Sequence, residues 1–232
     1  MKVLRNTLIL VIAAECGGCV QQGKNTGVDN VIEKMFGPSP KVLVKQMFES
    51  DDPDLRRDAI DRLSEKDWGR RGSYLKAYAI LTGDPAATVR SAAVRALGRS
   101  GNAEYAKEVV ATLSDRKASV RTDAAVALDS IFAPDAIEPL SARATSDVSP
   151  EVRVAAAQAL RQYRRADVLE TLLRCLEDMK LAVRLQAAES LSELTGKNAG
   201  TDVRAWRRIL DGKIDPFTTT APAKKKSWWK RF

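Results

Sequence analysis

Between residues 50 and 195 the apolar positions recur at steps of three and four, and the whole pattern returns every thirty-odd residues. The segments SDDPDLRRDAIDRL (50–63), DPAATVRSAAVRAL (84–97), DRKASVRTDAAVAL (115–128), DVSPEVRVAAAQAL (147–160) and DMKLAVRLQAAESL (178–191) begin 34, 31, 32 and 31 residues apart. In each copy an apolar residue and an Arg stand at positions six and seven. Position ten is always Ala (Ala59, Ala93, Ala124, Ala156, Ala187), and position fourteen is always Leu (Leu63, Leu97, Leu128, Leu160, Leu191). Val89, Ala93 and Leu97 step by four, so they share one face of a helix. The small residue admits a neighbouring helix and the Leu fills the seam. Asp52-Pro53, Asp84-Pro85 and Ser149-Pro150 place a capping side chain before a proline at the first helical position.

A second set of amphipathic segments lies between these: AEYAKEVVATLS (103–114), PDAIEPLSARATS (134–146) and ADVLETLLRCLE (166–177). In the last of them Leu169, Leu172, Leu173 and Leu176 form one apolar stripe. Each unit therefore reads as a helical hairpin with a short turn. A single hairpin cannot bury its apolar face, whereas stacked hairpins can.

The units resemble HEAT repeats, specifically the short bacterial kind also called phycobilisome-lyase-type repeats, whose leading Asp, Val-Arg, Ala-Ala and Leu stand in DPAATVRSAAVRAL and its sisters. The resemblance covers residues 50 to about 195. It implies an all-α fold, a right-handed α-α superhelix (a HEAT/armadillo-like solenoid) of about five hairpins. It implies little about activity, because such repeats serve many roles.

The recurrent Asp and Arg keep a fixed offset: Asp84 with Arg90, Asp115 with Arg121, Asp147 with Arg153, and Asp178 with Arg184. In the first unit Ser50 holds the Asp place, beside Asp51 and Asp52. In stacked units such groups line up as ladders, with Asp capping a helix and Arg pairing with an Asp of the next unit. A line of ligand-binding arginines is the competing reading. At the ends, residues 30–50 read as atypical starting helices. Residues 196–212 read as a final helix capped by Asp202, with Trp206, Ile209 and Leu210 over the last seam. Trp206 reads as a lid over core rather than a ligand platform. Trp68, in EKDWGRRG between the first unit's two helices, fits either role.

Composition narrows the chemistry. The chain has 232 residues, 44% hydrophobic and 29% charged, as expected of a folded body, and no histidine. That removes the side chain best suited to proton transfer near neutral pH and the commonest metal ligand. There is no glycine-rich phosphate loop and no nucleophile beside a base. No enzyme activity, cofactor or metal is expected. The formal charge of +8 is uneven. From residue 213 onward six basic residues stand against Asp215 alone, and Lys2, Arg5 and Lys24 add to the other end, so the body between is nearly balanced. Arg161, Arg164 and Arg165 cluster, but a near-neutral body argues against nucleic acid.

Lys2 and Arg5 precede LILVIAA (Leu8 to Ala14), a run that suits a secretory signal core and is far short of the ~20 residues needed to span a bilayer. Cysteine follows small residues there, which resembles a bacterial lipoprotein signal. Glu15 before Cys16 disfavours cleavage at that point, whereas Gly17-Gly18 before Cys19 suits it, so Cys19 is the candidate lipidation site. The Leu usual three places before the modified cysteine is here Cys16. A plain cleaved signal and a Cys-x-x-Cys redox or metal pair are the competing readings. The second is disfavoured because such a pair normally opens a helix in a folded domain. No Asp directly follows Cys19, and by resemblance to lipoprotein sorting this favours an outer membrane, facing the periplasm. Cys175 reads as a small core residue.

The organisation expected is a lipoprotein signal peptide (1–18), a flexible tether (19–29), N-terminal capping helices (30–50), HEAT-like repeats (51–195), a C-terminal capping helix (196–212) and a disordered basic and aromatic tail (213–232). The tail joins Lys224, Lys225, Lys226, Lys230 and Arg231 to Trp228, Trp229 and Phe232. Indole rings favour headgroups, and basic residues favour anionic surfaces. Membrane or envelope contact, a solvated tail and a polyanion contact all stay open. The function expected is a lipid-anchored scaffold in the bacterial envelope that binds a protein partner not identifiable from sequence. Glu104, Lys107, Glu108, Arg143, Glu170, Arg174 and Glu177 on the second helices are candidates for its surface. The alternative implied by the resemblance is an enzyme or accessory factor of the phycobilin-lyase type.

Overall fold

The computed structural model describes residues 38–212. Cys19, the signal and tether, the first part of the 30–50 segment, and the tail residues Lys224, Lys225, Lys226, Trp228, Trp229, Lys230, Arg231 and Phe232 lie outside the described residues.

The described residues hold eleven α-helices, three short 3-10 turns and no strand. They belong to two compact units that divide after Ile131. The first contains α1 (Pro40–Glu49), α2 (Pro53–Ser64), α3 (Ser73–Leu81), α4 (Ala87–Ser100), α5 (Ala106–Thr112) and α6 (Ala118–Ser130). The second contains α7 (Ile137–Ser146), α8 (Pro150–Leu160), α9 (Ala166–Cys175), α10 (Leu181–Thr195) and α11 (Val203–Asp211).

In the first unit α1 lies on α2, α3 on α4 and α5 on α6, and the even-numbered helices stack on one another. In the second unit α7 lies on α8 and α9 on α10, α8 stacks on α10, α7 on α9, and α11 rests on α9. The repeat columns explain this stacking. All five position-ten alanines and all five position-fourteen leucines are fully buried. At position six Val89, Val120, Val152 and Val183 are buried too, but Leu55 is 45% exposed. Leu55 belongs to the first hairpin, and with Val42 it lines an open groove on α1 and α2. The alanine column allows close contact, and Gly98 carries it furthest. A Cβ there would stand 2.7 Å from the Ala127 Cβ, so α4 and α6 meet where a side chain is missing. Gly101, with φ +62°, ends α4 in the left-handed conformation that glycine adopts without strain.

Two expectations need correction. The tight hairpins pair α1 with α2 and α3 with α4, so the repeating Asp lies in the turn inside each hairpin rather than at its start. Trp68, in the 3-10 turn Trp68–Arg70 that links α2 to α3, therefore lies between hairpins. Pro53 and Pro150 do occupy the first helical turn, but Asp84-Pro85 lies upstream of its helix, whose N-cap is Ala86. Asp84 Oδ1 accepts the Ala86 N–H at 2.8 Å, so the dipeptide shapes the turn and the helix follows it.

Candidate functional site

The Asp turns are built alike. The N-cap N–H donates to Oδ1 of the Asp two residues earlier: Ala86 to Asp84, Lys117 to Asp115 at 2.8 Å, Ser149 to Asp147 at 3.0 Å and Lys180 to Asp178 at 2.7 Å. In the first hairpin Ser50 Oγ accepts from the Asp52 N–H instead. The Arg six residues on returns to its own turn. Arg90 Nη1 donates to the carbonyls of Asp84 and Pro85 at 2.9 and 3.1 Å, Arg153 to those of Asp147 and Val148 at 2.7 and 3.3 Å, and Arg184 to those of Asp178 and Met179 at 2.8 and 3.2 Å.

That grip leaves the Nε–Nη2 edge facing the following hairpin, where it takes both oxygens of the next Asp. Arg56 does so with Asp84 (3.2 and 2.9 Å), Arg90 with Asp115 (2.7 and 2.9 Å) and Arg153 with Asp178 (2.7 and 3.0 Å). Side-chain bonds from Arg90 hold the Asp115 carboxyl below the ordinary carboxylate range, and the same bonds raise Arg90. Burial pushes Asp178 up, but Arg153 and the Lys180 N–H outweigh it, and the net shift is downward. The recurrent Asp and Arg are therefore hairpin-to-hairpin bolts at these three rungs, as the ladder reading anticipated.

A second set of ion pairs had no repeated column to reveal it. In the first unit Arg95 bridges Asp61 on α2 and Asp123 on α6, at 3.2 and 3.0 Å, while Arg99 reaches Ser64 Oγ at 2.5 Å. In the second unit Arg161 pairs with Glu193 at 3.3 Å. Arg165, from the same basic cluster, holds Asp167 at 2.8 Å.

The candidate partner residues divide between the units. In the first, Glu104 and Lys107 are exposed, whereas Glu108 is half-buried, with a buried Oε2 that has no hydrogen-bond partner among the described residues. In the second, Glu170, Arg174 and Glu177 are exposed. Arg143 is half-buried and reaches Asp147 Oδ2 at 3.4 Å, so it is partly committed to the turn. Arg174 also lines a groove of about 640 Å³ with Pro134, Asp135, Ile137, Glu138, Ser141, Arg165, Asp167 and Thr171. Its acidic members were not anticipated, although Asp135 and Glu138, three residues apart in PDAIEPLS, share a helical face.

Cys175 is buried, its Sγ lies 3.5 Å from the Ala144 carbonyl, and burial pushes its thiol up to about 12. Trp206 is fully buried, with Nε1 donating to the Gly200 carbonyl at 2.7 Å. Trp68 is 45% exposed and packs against the Tyr74 ring at 5.5 Å. Among the described residues no cluster of His, Cys, Asp or Glu is placed to hold a metal ion, and no helix is long and apolar enough to cross a membrane.

The chain is similar in fold to several solved structures. The complex of CpcE and CpcF of phycocyanin lyase from Nostoc sp. PCC7120 matches with TM-score 0.60 at 20% identity, over 83% of this chain and 73% of that chain. A designed armadillo repeat protein matches with TM-score 0.54 at 18% identity, over 77% of this chain and 94% of its own. An engineered protein from a structural genomics programme matches with TM-score 0.53 at 18% identity, over 77% and 91%. At these identities the likeness establishes an all-α solenoid of the HEAT/armadillo class and nothing about activity. No curated protein matches the chain. The family model for HEAT repeats matches residues 40–129, 75–161 and 137–206, and with the alanine, leucine and Asp–Arg columns placed as described, the chain belongs to the HEAT-repeat family.

Proposed function

We propose that the protein is a non-catalytic interaction module, held at a bacterial membrane by lipid on Cys19 and offering the outward faces around α5, α7 and α9 to a protein partner. The observation that carries this reading is the fate of the repeated charges. At three junctions, two in the first unit and one in the second, the recurrent Arg and Asp are bonded to each other and the Arg to turn carbonyls, so they serve the scaffold. The charges on and beside the intervening helices do not recur, differ in sign, and are exposed at Glu104 in the turn before α5, Lys107 on α5, Glu170 and Arg174 on α9, and Glu177 just past α9. Mixed signs suit a protein surface better than a phosphate backbone.

Support for the anchor comes from the sequence around Cys19, where a short apolar run and Gly17-Gly18 precede the cysteine. Each buried methylene of an acyl chain adds about 0.8 kcal/mol of membrane affinity, and a second contact stabilises the attachment. The basic and aromatic residues from Lys224 to Phe232 supply such a contact on this reading, which sets the protein in the envelope, at an outer membrane. Intact-mass measurement of protein extracted from the membrane fraction tests it. A chain starting at Cys19 with a diacylglycerol adduct is expected, and Cys19→Ala should move the protein out of that fraction. A full-length, unmodified chain would refute the anchor.

The alternative is an accessory factor of the phycobilin-lyase type. It rests on the likeness to the CpcE–CpcF complex, which bears on fold alone, although a relative composed of two proteins is in keeping with a protein partner here. Bilin absorbance that shifts on adding the purified protein would favour it.

A further inference from the structure

Two apolar side chains of the second unit are almost wholly bare: Val148 is 93% exposed and Met179 94%. Each directly follows a ladder Asp, Val148 in the turn between α7 and α8 and Met179 in the turn between α9 and α10. Because α8 stacks on α10 and α7 on α9, the two turns are neighbours. One guanidinium ties them together, for Arg153 holds the Val148 carbonyl at 3.3 Å and both carboxylate oxygens of Asp178. Leu181, 56% exposed at the start of α10, extends the strip, and Lys180 stands exposed between it and Met179. The scaffold does not ask for an apolar side chain at this turn position. It uses the residue's carbonyl at Asp51, Pro85, Val148 and Met179 alike, whatever the side chain, and Arg116 holds the same place in the turn before α6.

A turn enters a bilayer interface at least cost when its backbone groups are already bonded. These turns meet that condition. The Ser149 and Lys180 N–H groups donate to Asp147 and Asp178, and the carbonyls of Asp147, Val148, Asp178 and Met179 accept from Arg153 and Arg184. The turn carboxylates are paired as well, Asp178 with Arg153 and Asp147 with Arg143. A lysine between apolar neighbours lays its stem along them and keeps its ammonium among phosphates. Glu151 and Glu177, both exposed, border the strip and hold the contact shallow. Pro38 stands nineteen residues after Cys19, at most about 65 Å of extended chain, so a lipid on Cys19 would keep the body beside the bilayer. We propose that this turn edge of the second unit, Val148, Met179 and Leu181 with Lys180, seats on an anionic lipid surface. The inference rests on the lipid-anchored reading and adds to it a defined membrane-facing edge.

The test uses the chain from Val20 to Phe232 with an N-terminal hexahistidine tag, held on vesicles of phosphatidylethanolamine and phosphatidylglycerol that carry a nickel-chelating lipid. The tag supplies the tether, so a missing lipid on Cys19 and a failed contact give different results. An environment-sensitive nitrobenzoxadiazole dye is attached at Met179→Cys, with Cys175 buried out of reach. Its emission should rise, shift to the blue on the vesicles and be quenched by nitroxide-labelled lipid, whereas the same dye at Lys107→Cys should stay as it is in water. On vesicles without the nickel lipid, Val148→Ser with Met179→Ser should weaken binding about tenfold at unchanged Tm. A dye at position 179 that stays in water on the tethered protein, or undiminished binding by the double variant, would overturn the proposal. So would a dye that responds only when membrane proteins are present in the vesicles, because a protein would then be the occupant.

Discussion

Arg90 on α4 and Asp115 in the turn before α6 form a two-bond clasp, Nε to Oδ2 at 2.7 Å and Nη2 to Oδ1 at 2.9 Å, with their side chains only 7% and 11% exposed. The same guanidinium holds the carbonyls of Asp84 and Pro85, so one side chain shapes its own turn and clamps the next hairpin. Removing it strands a shielded carboxylate and two carbonyls. Arg90→Ala should destabilise by about 2–4 kcal/mol, read as a lower denaturant midpoint. Arg90→Lys should recover only part of the loss, because an ammonium cannot present the planar fork.

The clasp gives stability a pH signature. Asp115 is held below the ordinary carboxylate range when folded, chiefly by the bonds from Arg90. Its stabilising share is therefore complete above the unfolded Asp value of about 3.9 and is lost as the pH falls from there through the lower folded value. The midpoint of unfolding should hold steady between pH 5 and 7 on this account and drop below about pH 4. In Arg90→Ala the acid-side drop should be shallower.

Close helix contact at Gly98 makes a second test, one in which propensity and packing oppose each other. Alanine is the better helix former by about 1 kcal/mol. Its Cβ would nevertheless lie 2.7 Å from Ala127 Cβ and 2.8 Å from its Cα, in the seam between α4 and α6. Packing should win, and Gly98→Ala should unfold at a lower temperature, by roughly 1–2 kcal/mol, as overpacking does.

How much of this was readable beforehand depended on repetition. Ala93 and Leu97 were placed in the core by recurrence and helical spacing together, and both are fully buried. The partnership of Arg90 with Asp115 was readable because the same two columns return in each hairpin. Arg95 has no such column, and its link to Asp61 and Asp123 needed coordinates to become visible. Periodicity fixes the length of a unit and not its starting point, so the hairpin boundary does not follow from it. Only packing shows that α3 belongs with α4 and that Trp68 lies between pairs. The helical position of Arg143 predicts an outward side chain, but the turn carboxylate of Asp147 four residues on draws it inward.

Cys175 should be silent toward thiol reagents. Its thiol is buried on α9 and pushed up to about 12 by that burial, so little thiolate forms at pH 8. Alkylation followed by peptide mass analysis should leave Cys175 unlabelled in the folded protein and label it fully in denaturant. Rapid labelling without denaturant would show that the α9 seam opens readily.

The central claim is that the recurrent charges hold the hairpins while the non-recurrent outward charges bind a partner. Site-specific photo-crosslinking from position 170 in native membranes tests it most directly, with and without the charge reversal Arg174→Glu and Glu177→Lys. Unchanged Tm with loss of one discrete crosslinked protein is predicted for the reversed face. The same discrete crosslink at full yield from the reversed face would contradict the account.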